Sequence, residues 1–359
     1  MKIETDSSFY QTDETYLRSS AIKSFESCSY LYWQQYVQKV PQIDNRGALQ
    51  GSVVHSFFEC LINPRHKHIF NKIMFFGTLR RTGSAERLVR RLMKKENLPN
   101  EEKIFDKIDK MILVGCKEDF YVEGYEIVGI EYRFKIKNED PYYKLYGTID
   151  KVAKKEKKKE ILIQDYKSSK LRYSGEDAES NIQALCYCLA CKRIWPEYHP
   201  KIRFIFLQYP DQPVMEMEFS DEILEGFSYY LAETQKKFNS FTEKSAWLNF
   251  AADKGYPEDG GFSGSLVCGY GKYPGHLKRD GITPYFVCSY KWPRIYYIVK
   301  NNDKIIKSYT NKEDIVLKDG EVIEEVQHLG CPRFRNAVAE MPKPQVAKQY
   351  GNVLEEWDF

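Results

Sequence analysis

The chain has 359 residues, and its 54 lysines and arginines against 51 aspartates and glutamates leave a net charge of +3, too small to argue for or against a nucleic-acid partner; any groove for a polyanion has to be local. Nine cysteines are an odd number and do not make the framework of a small secreted protein, and no apolar run approaches the roughly 18 residues of a membrane span. With a polar N-terminus that lacks the apolar stretch of a signal peptide, the expectation is a cytoplasmic protein of one large decorated domain or two smaller ones, with no membrane partner.

Residues 1–16 are polar and are expected to fray. Ser19 and Ser20 precede residues 21–36, where Ile22, Phe25, Leu31 and Trp33 supply the apolar contacts of a helix. From His55 to about Tyr121 the chain reads as mostly helical. In the segment Gly51 to Glu59, His55 and Glu59 stand at i and i+4 on one helical face, while Val54, Phe57, Phe58 and Leu61 supply its packing. A histidine so placed serves either as a structural hydrogen-bonding group or as a ligand. His66 and His68 sit in a loop beside this helix with no further ligand in register. Arg80, Arg81, Arg87, Arg90, Arg91, Lys94 and Lys95 form the strongest basic cluster. It is either a solvated face or one that turns some of its charge toward a phosphate backbone.

Alternation over residues 125–136 suits a strand with Glu131 at its centre, although an edge glutamate facing water would look the same. Two more runs fit for strands, 144–152 and 160–166, flank a lysine-rich connector that cannot be core and reads as a hairpin or tight loop. Asp150 then falls late in one strand and Asp165 late in the next. Asp165 and Lys167 are two apart, so they leave the same face of the pleat if the strand continues through them. Two carboxylates facing one point suit a hard divalent cation, and the adjacent ammonium can hold a negatively charged oxygen or a water beside it. The spacing alone is weak, because aspartates at strand ends and lysines beyond them are common solvated turn residues. Further on, Ile182, Leu185 and Leu189 mark the packed stripe of a helix on which Gln183 and Tyr187 point together, one turn apart. Residues 201–208 and 214–219 read as strands around a Pro210-to-Pro213 turn, and 220–238 as a helix. Beyond Trp247 the composition shifts to glycine, proline and aromatics, and the short runs 296–299, 304–308 and 321–326 suggest a small β-rich appendage.

Gly147-Thr148-Ile149-Asp150 and Asp165-Tyr166-Lys167-Ser168 resemble the Gly-x-x-Asp and Asp-Tyr-Lys-Thr signatures of the PD-(D/E)xK nuclease superfamily, in its RecB-like and Cas4-like exonuclease branch. Three further pieces occur in that family's order. The Gly51-to-Glu59 segment is similar to its Gly-x-x-x-His-x-x-x-Glu, Glu131 stands at its strand glutamate, and Gln183 with Tyr187 resembles the Gln-x-x-x-Tyr that follows the catalytic lysine. The resemblance implies an α/β, restriction-endonuclease-like fold, a mixed central sheet flanked by helices. A helical N-terminal part would span residues 1–124, the nuclease core 125–245 and a glycine- and aromatic-rich region 246–359. It implies a metal-dependent DNA exonuclease. His55, Asp150, Asp165 and the Tyr166 carbonyl would hold Mg²⁺ or Mn²⁺, and Lys167 would orient or activate the attacking water. Glu131 would stand behind the metal or position water, and Gln183 and Tyr187 would touch the substrate strand or the catalytic groups. The substrate would be DNA with a free end or a single-stranded part. An endonuclease on the same core and a non-catalytic DNA-binding subunit of a recombination complex stay open as alternatives. No Gly-x4-Gly-Lys-Ser/Thr occurs, so unwinding would require a helicase partner.

Ser24 to Tyr32 resembles the branch's opening Ser-x-x-x-Cys-x-x-x-Phe/Tyr motif, in which the cysteine, here Cys28, is in many members the first ligand of a [4Fe-4S] cluster that pins the N-terminus to the C-terminal region. The later cysteines depart from that pattern. In Cys268-Gly-Tyr-Gly271 a glycine stands where a second close ligand would be, and Cys288 and Cys331 follow at long intervals. Cys28, Cys268, Cys288 and Cys331 could still hold an iron–sulfur cluster, or zinc with help from His276, or be unrelated buried thiols. The expectation is that Cys28 packs near Cys268 or Cys288. Cys186, Cys188 and Cys191 read as buried thiols.

Overall fold

The computed structural model describes residues 2–4, 15–43, 46–169, 172–173, 180–254, 267–269 and 285–334; Gly271 and His276 lie outside the described residues. The chain gathers into two compact units, residues 1–19 with 44–239 and residues 20–43 with 240–359.

The first unit is built on a six-stranded sheet in the order β1 (Lys2–Glu4), β2 (Glu126–Glu139), β3 (Tyr142–Lys155), β4 (Glu160–Lys167), β5 (His199–Phe206) and β6 (Val214–Glu218). Every neighbouring pair is antiparallel except β4 with β5, which run parallel. A parallel pair needs a crossover, and helix Ile182–Ile194 lies in it. The result is the mixed, helix-flanked, restriction-endonuclease-like sheet expected from the sequence. Its centre is β4, where Ile161, Leu162 and Ile163 are at most 1% exposed, as a strand covered on both faces requires. The lysine-rich connector before β4 is a single short turn, Glu156–Lys158, followed by Lys159 in the left-handed region. At the end of β3 just before it, Lys154 lies 4.4 Å from the Tyr198 ring centroid and Lys155 4.9 Å from that of Tyr125.

Helices Arg46–Leu61, Lys67–Phe76, Gly83–Lys95 and Glu102–Lys117 share one apolar core with Tyr166, Ile205 and Leu207 of the sheet side. Val53, Phe57, Phe105, Ile108 and Ile112 are at most 1% exposed, each contributing about 1.5–3 kcal/mol by burial. That stripe holds the His55 helix rigid. The basic cluster divides. Arg80 is paired with Glu102 at 2.7 Å and Asp106 at 2.5 Å, and Arg90 with Glu86 at 2.8 Å, so both charges are already answered within the chain. Both guanidinium groups also lie over Phe105. Arg87, Arg91, Lys94 and Lys95 remain exposed.

The second unit holds a three-stranded antiparallel sheet, β8 (Lys304–Tyr309), β7 (Arg294–Asn301) and β9 (Val322–His328), with β7 in the middle. It is the β-rich appendage expected near the C-terminus. Ser29 N–H donates to the Asn249 carbonyl at 2.7 Å, Tyr30 Oη to that of Gly330 at 3.0 Å and Tyr290 Oη to that of Val40 at 3.1 Å. No helix among the described residues is long and apolar enough to cross a membrane.

Gly147 is explained by packing. It pairs with Phe134 across β2 and β3, and a Cβ on it would stand 2.5 Å from Cζ of a ring that is fully buried and sits edge-on to Tyr187. Gly147→Ala is therefore expected to lose about 1–3 kcal/mol of stability by overpacking. Urea unfolding checks this, and an unchanged midpoint would show that the Phe134 ring moves freely.

Candidate active site

The β3–β4 ladder ends where Lys151 faces Gln164; beyond it β3 pairs with β2 and β4 with β5. The two strands part there, and Asp150 and Asp165 are the residues at the fork. Parting leaves the N–H of Tyr166 without a ladder partner on β3, and Asp150 Oδ2 accepts it at 2.8 Å. The same oxygen lies 3.3 Å from Nδ1 of His55. On the other side of β3, Glu131 of β2 adopts φ 47°. A non-glycine residue held there stores roughly 1–3 kcal/mol of strain, which functional sites concentrate. His55, Glu131 and Asp150 thereby bring one donor atom each to within 4.8 Å of one another. Among the described residues no other histidine, cysteine, aspartate or glutamate group of three does so.

Asp165 is 2% exposed and its carboxylate is otherwise engaged. Lys167 Nζ lies 2.5 Å from Oδ2, and Gln183 Nε2 donates to Oδ1 at 3.0 Å. The Gln183 amide has a fixed sense: its nitrogen also donates to Tyr187 Oη at 3.0 Å, and its oxygen accepts from Lys167 Nζ at 2.7 Å. Tyr187 Oη in turn donates to the Thr148 carbonyl at 2.6 Å. Helix Ile182–Ile194 can present both side chains because Asn181 caps it, its Oδ1 accepting from the N–H groups of Gln183 and Ala184 at 3.1 and 3.0 Å. Every residue singled out in the sequence for this site thus lies at the strand fork or in the network beside it. Glu131 brings a carboxylate oxygen within 4.8 Å of the donor atoms of His55 and Asp150.

One neighbour carried no sequence signal. Lys151 is 2% exposed, donates to the Phe120 carbonyl at 2.6 Å and Tyr166 Oη at 2.9 Å, and lines a small cavity with His55, Glu131, Asp150 and Tyr166. Burial lowers its pKa to about 7. Its bond clamps the Tyr166 ring and so steadies the backbone between Asp165 and Lys167.

The charges act on one another strongly. Burial works against the Asp150 charge, yet the His55 hydrogen bond and charge and the Tyr166 N–H hold its carboxyl below the usual range. Asp165 moves the other way, raised by burial and by repulsion from Asp150 despite Lys167. Burial would lower Lys167, but Asp165 outweighs it, so the side chain is an ammonium at neutral pH. Burial, with repulsion from Asp150, pushes Glu131 up to about 7. His55 would be lowered by burial, but the Asp150 hydrogen bond and the charges of Asp150, Asp165 and Glu131 carry it up to about 9. An imidazole with two carboxylates suits Mn²⁺ and, through its oxygens, Mg²⁺.

Four cysteines come together in the second unit. Cys28, Cys268, Cys288 and Cys331 all line one cavity, and Cys28 shares an apolar cluster with Cys268 and Cys331. Main-chain bonds draw three of them in: Cys288 N–H to the Cys268 carbonyl at 3.1 Å, Lys291 N–H to that of Cys288 at 3.0 Å and Cys331 N–H to that of Lys291 at 3.1 Å. Gly269, at φ 77°, passes so close to the Phe286 carbonyl that no side chain would fit. Cys186, Cys188 and Cys191 are buried in helix Ile182–Ile194.

A family model of the PD-(D/E)XK nuclease superfamily matches residues 19–270. The chain belongs to that superfamily. It is a metal-dependent nuclease, and nucleases of this superfamily act on DNA. No curated protein matches the chain. In this nuclease a cation binding among His55, Glu131 and Asp150 must displace the protons that His55 and Glu131 hold. Since the His55 pKa is raised, the proton competes below about pH 9 and not above. Mg²⁺ or Mn²⁺ binding at pH 7 is therefore expected to release about one proton or more, with affinity rising toward pH 9. Calorimetry in two buffers of different ionisation enthalpy measures this; identical heats in both would rule out His55 as the group displaced.

Proposed function

We propose that this nuclease is a DNA exonuclease of the RecB-like and Cas4-like kind, working in the cytoplasm on DNA with a free end or single-stranded part during recombination, repair or phage DNA processing. The observation that carries the reading is the strand fork itself. There His55 with Asp150, and Asp165 with Lys167, Gln183 and Tyr187, form two bonded groups that the Tyr166 main chain joins by its N–H to Asp150. His55, Glu131 and Asp150 would hold Mg²⁺ or Mn²⁺, joined by Asp165 and the Tyr166 carbonyl. The cation supplies a Lewis acid that lowers the pKa of a bound water and takes up charge on the phosphate. Lys167, kept as an ammonium by Asp165, acts as a donor that orients the attacking water and stabilises charge building on the phosphoryl oxygens. Gln183 aims that ammonium by accepting one of its protons, and Tyr187 fixes Gln183 against β3.

The same reading assigns Cys28, Cys268, Cys288 and Cys331 to a [4Fe-4S] cluster. Zinc fits less well. A tetrahedral site with Zn–S bonds of about 2.3 Å sets its sulfurs roughly 3.8 Å apart, whereas no three of these donors lie within 4.8 Å of one another among the described residues. A cluster, with its iron–sulfur core between the thiolates, suits wider spacing and an all-cysteine donor set. Bound there, it supplies covalent cross-links among segments far apart in the chain.

End-labelled linear duplex and single strands, tested beside a covalently closed circular single strand, separate exonuclease from endonuclease action. Loss of terminal nucleotides with the circle intact is the expected result, and cleavage of the circle would overturn the exonuclease assignment. Asp165→Asn, nearly isosteric, is expected to abolish metal-dependent cleavage while leaving circular dichroism unchanged; an undiminished rate in the folded variant would remove Asp165 from the mechanism. Lys167→Ala is expected to lower turnover by about 10²–10³ with much smaller change in metal affinity. Equal losses in both, by calorimetry and cleavage rate on one preparation, would contradict its role as a donor to water and phosphate.

A further inference from the structure

Beyond the fork β3 runs back toward its start without β4, and residues 15–18 of the same unit take up part of the edge that β4 leaves. Leu17, fully buried, donates its N–H to the Lys144 carbonyl at 2.8 Å and accepts from the Tyr146 N–H at 2.9 Å. The next residue, Arg18, is exposed, and its guanidinium carbon lies 4.6 Å from the Tyr146 ring centroid. Across the ladder Lys135 pairs with Tyr146 and Arg133 with Thr148, so these four side chains share one face of the β2–β3 pair. Lys135 and Lys144 gather beside them over the Tyr16 ring, 5.4 and 6.0 Å from its centroid.

Arg133 is exposed as well. Burial and Asp150 dominate the Glu131 carboxyl, and the Arg133 charge also acts on it, so this strip of cations begins beside the metal site. Arg90, Arg193 and Arg203 of the same unit are each paired with a carboxylate, of Glu86, Glu225 and Glu216. Arg18 and Arg133 have no such partner among the described residues. A guanidinium stacked on a ring keeps its N–H edge free, and that edge matches the oxygens of a phosphate. At about 3.3 Å per residue, Thr148 and Tyr146 stand about 7 and 13 Å from Asp150 along β3. One strand of DNA advances about 3.4 Å per phosphate in a duplex, so the strip is long enough to meet more than one.

We propose that the DNA strand to be cut runs from the metal site along this strip, with Arg133 and Arg18 each holding one of its backbone phosphates. The inference rests on the reading of the fork as the place of cleavage, and it holds for exonuclease and endonuclease alike. Contacts to phosphates fix the strand's register and carry no sequence information, so the strip accepts any sequence.

The experiment measures binding of a fluorescein-labelled oligothymidine to full-length wild type, Arg133→Gln, Arg133→Lys, Arg18→Gln and Arg18→Lys. Anisotropy is followed over a range of salt concentrations, in EDTA so that nothing is cut. Each glutamine variant is expected to flatten the plot of log K against log salt by about 0.7, one phosphate contact, and to bind about fivefold more weakly at about 0.1 M salt. The lysine variants should keep the wild-type slope, since a point charge still releases the counterion. Oligonucleotides with one neutral methylphosphonate in place of one phosphate locate the contacts. The position that weakens wild type most should cost one of the two glutamine variants nothing further. Glutamine variants with wild-type affinity and slope overturn the proposal. Weaker binding at an unchanged slope, in lysine and glutamine variants alike, also overturns it and assigns the arginines to packing. Cleavage with Mn²⁺ is read on the same preparations. A wild type that binds through both arginines and cuts nothing overturns the chemistry proposed for the fork and still supports the strip.

Discussion

The bond from the Tyr166 N–H to the Asp150 carboxylate, 2.8 Å long, is the interaction on which the active site depends. Antiparallel strands that stay paired leave no room between them, and strands that part leave main-chain groups unsatisfied. Here the parting is stabilised by a side chain: Asp150 takes the N–H that the ladder gives up. His55 reaches that same oxygen from the helix above. The remaining half of the site hangs on β4, where parallel pairing with β5 holds Asp165 and Lys167 while their β3 flank is open.

Opening a sheet at its centre exposes charge to a low-dielectric interior, and the site is organised to contain it. The carboxylates of Asp150 and Asp165 are answered by a protonated His55 imidazole and the Lys167 ammonium, with Gln183 distributing hydrogen bonds between Asp165, Lys167 and Tyr187. Such an arrangement is stable only when every member has its partner. It is also poised, because the protons held on His55 and Glu131 are ones that a cation can displace. The left-handed backbone at Glu131 is the local strain that accompanies this preorganisation.

Much of this was legible in the sequence, for specific reasons. The run Ile161–Leu162–Ile163 reads as a strand, and Asp165 and Lys167 follow at the period that puts them on one face of it. Gln183 and Tyr187 were readable as one turn of a helix. What was not legible depends on contacts remote in sequence. Arg80 looks available for phosphate until Glu102 and Asp106, on another helix, are brought to it. The backbone at Glu131 is bent by its tertiary setting, which no alternation records. The cysteines show no short-spaced motif because main-chain hydrogen bonds between separate loops, not sequence spacing, draw three of them together.

The second unit is discontinuous: residues 20–43 group with residues 240–359 across the whole of the segment between them. The Tyr30–Gly330 hydrogen bond spans 300 positions. On a ribosome, which delivers the chain from its N-terminus, the segment from 44 to 239 emerges in full before Cys28 and Tyr30 can meet Cys268, Cys331 and Gly330. The nuclease fold is thus positioned to form first, as an insert inside an unfinished neighbour. The early segment meanwhile cannot complete its own unit until residues 240–359 have been made, so its assembly comes last although its synthesis comes first.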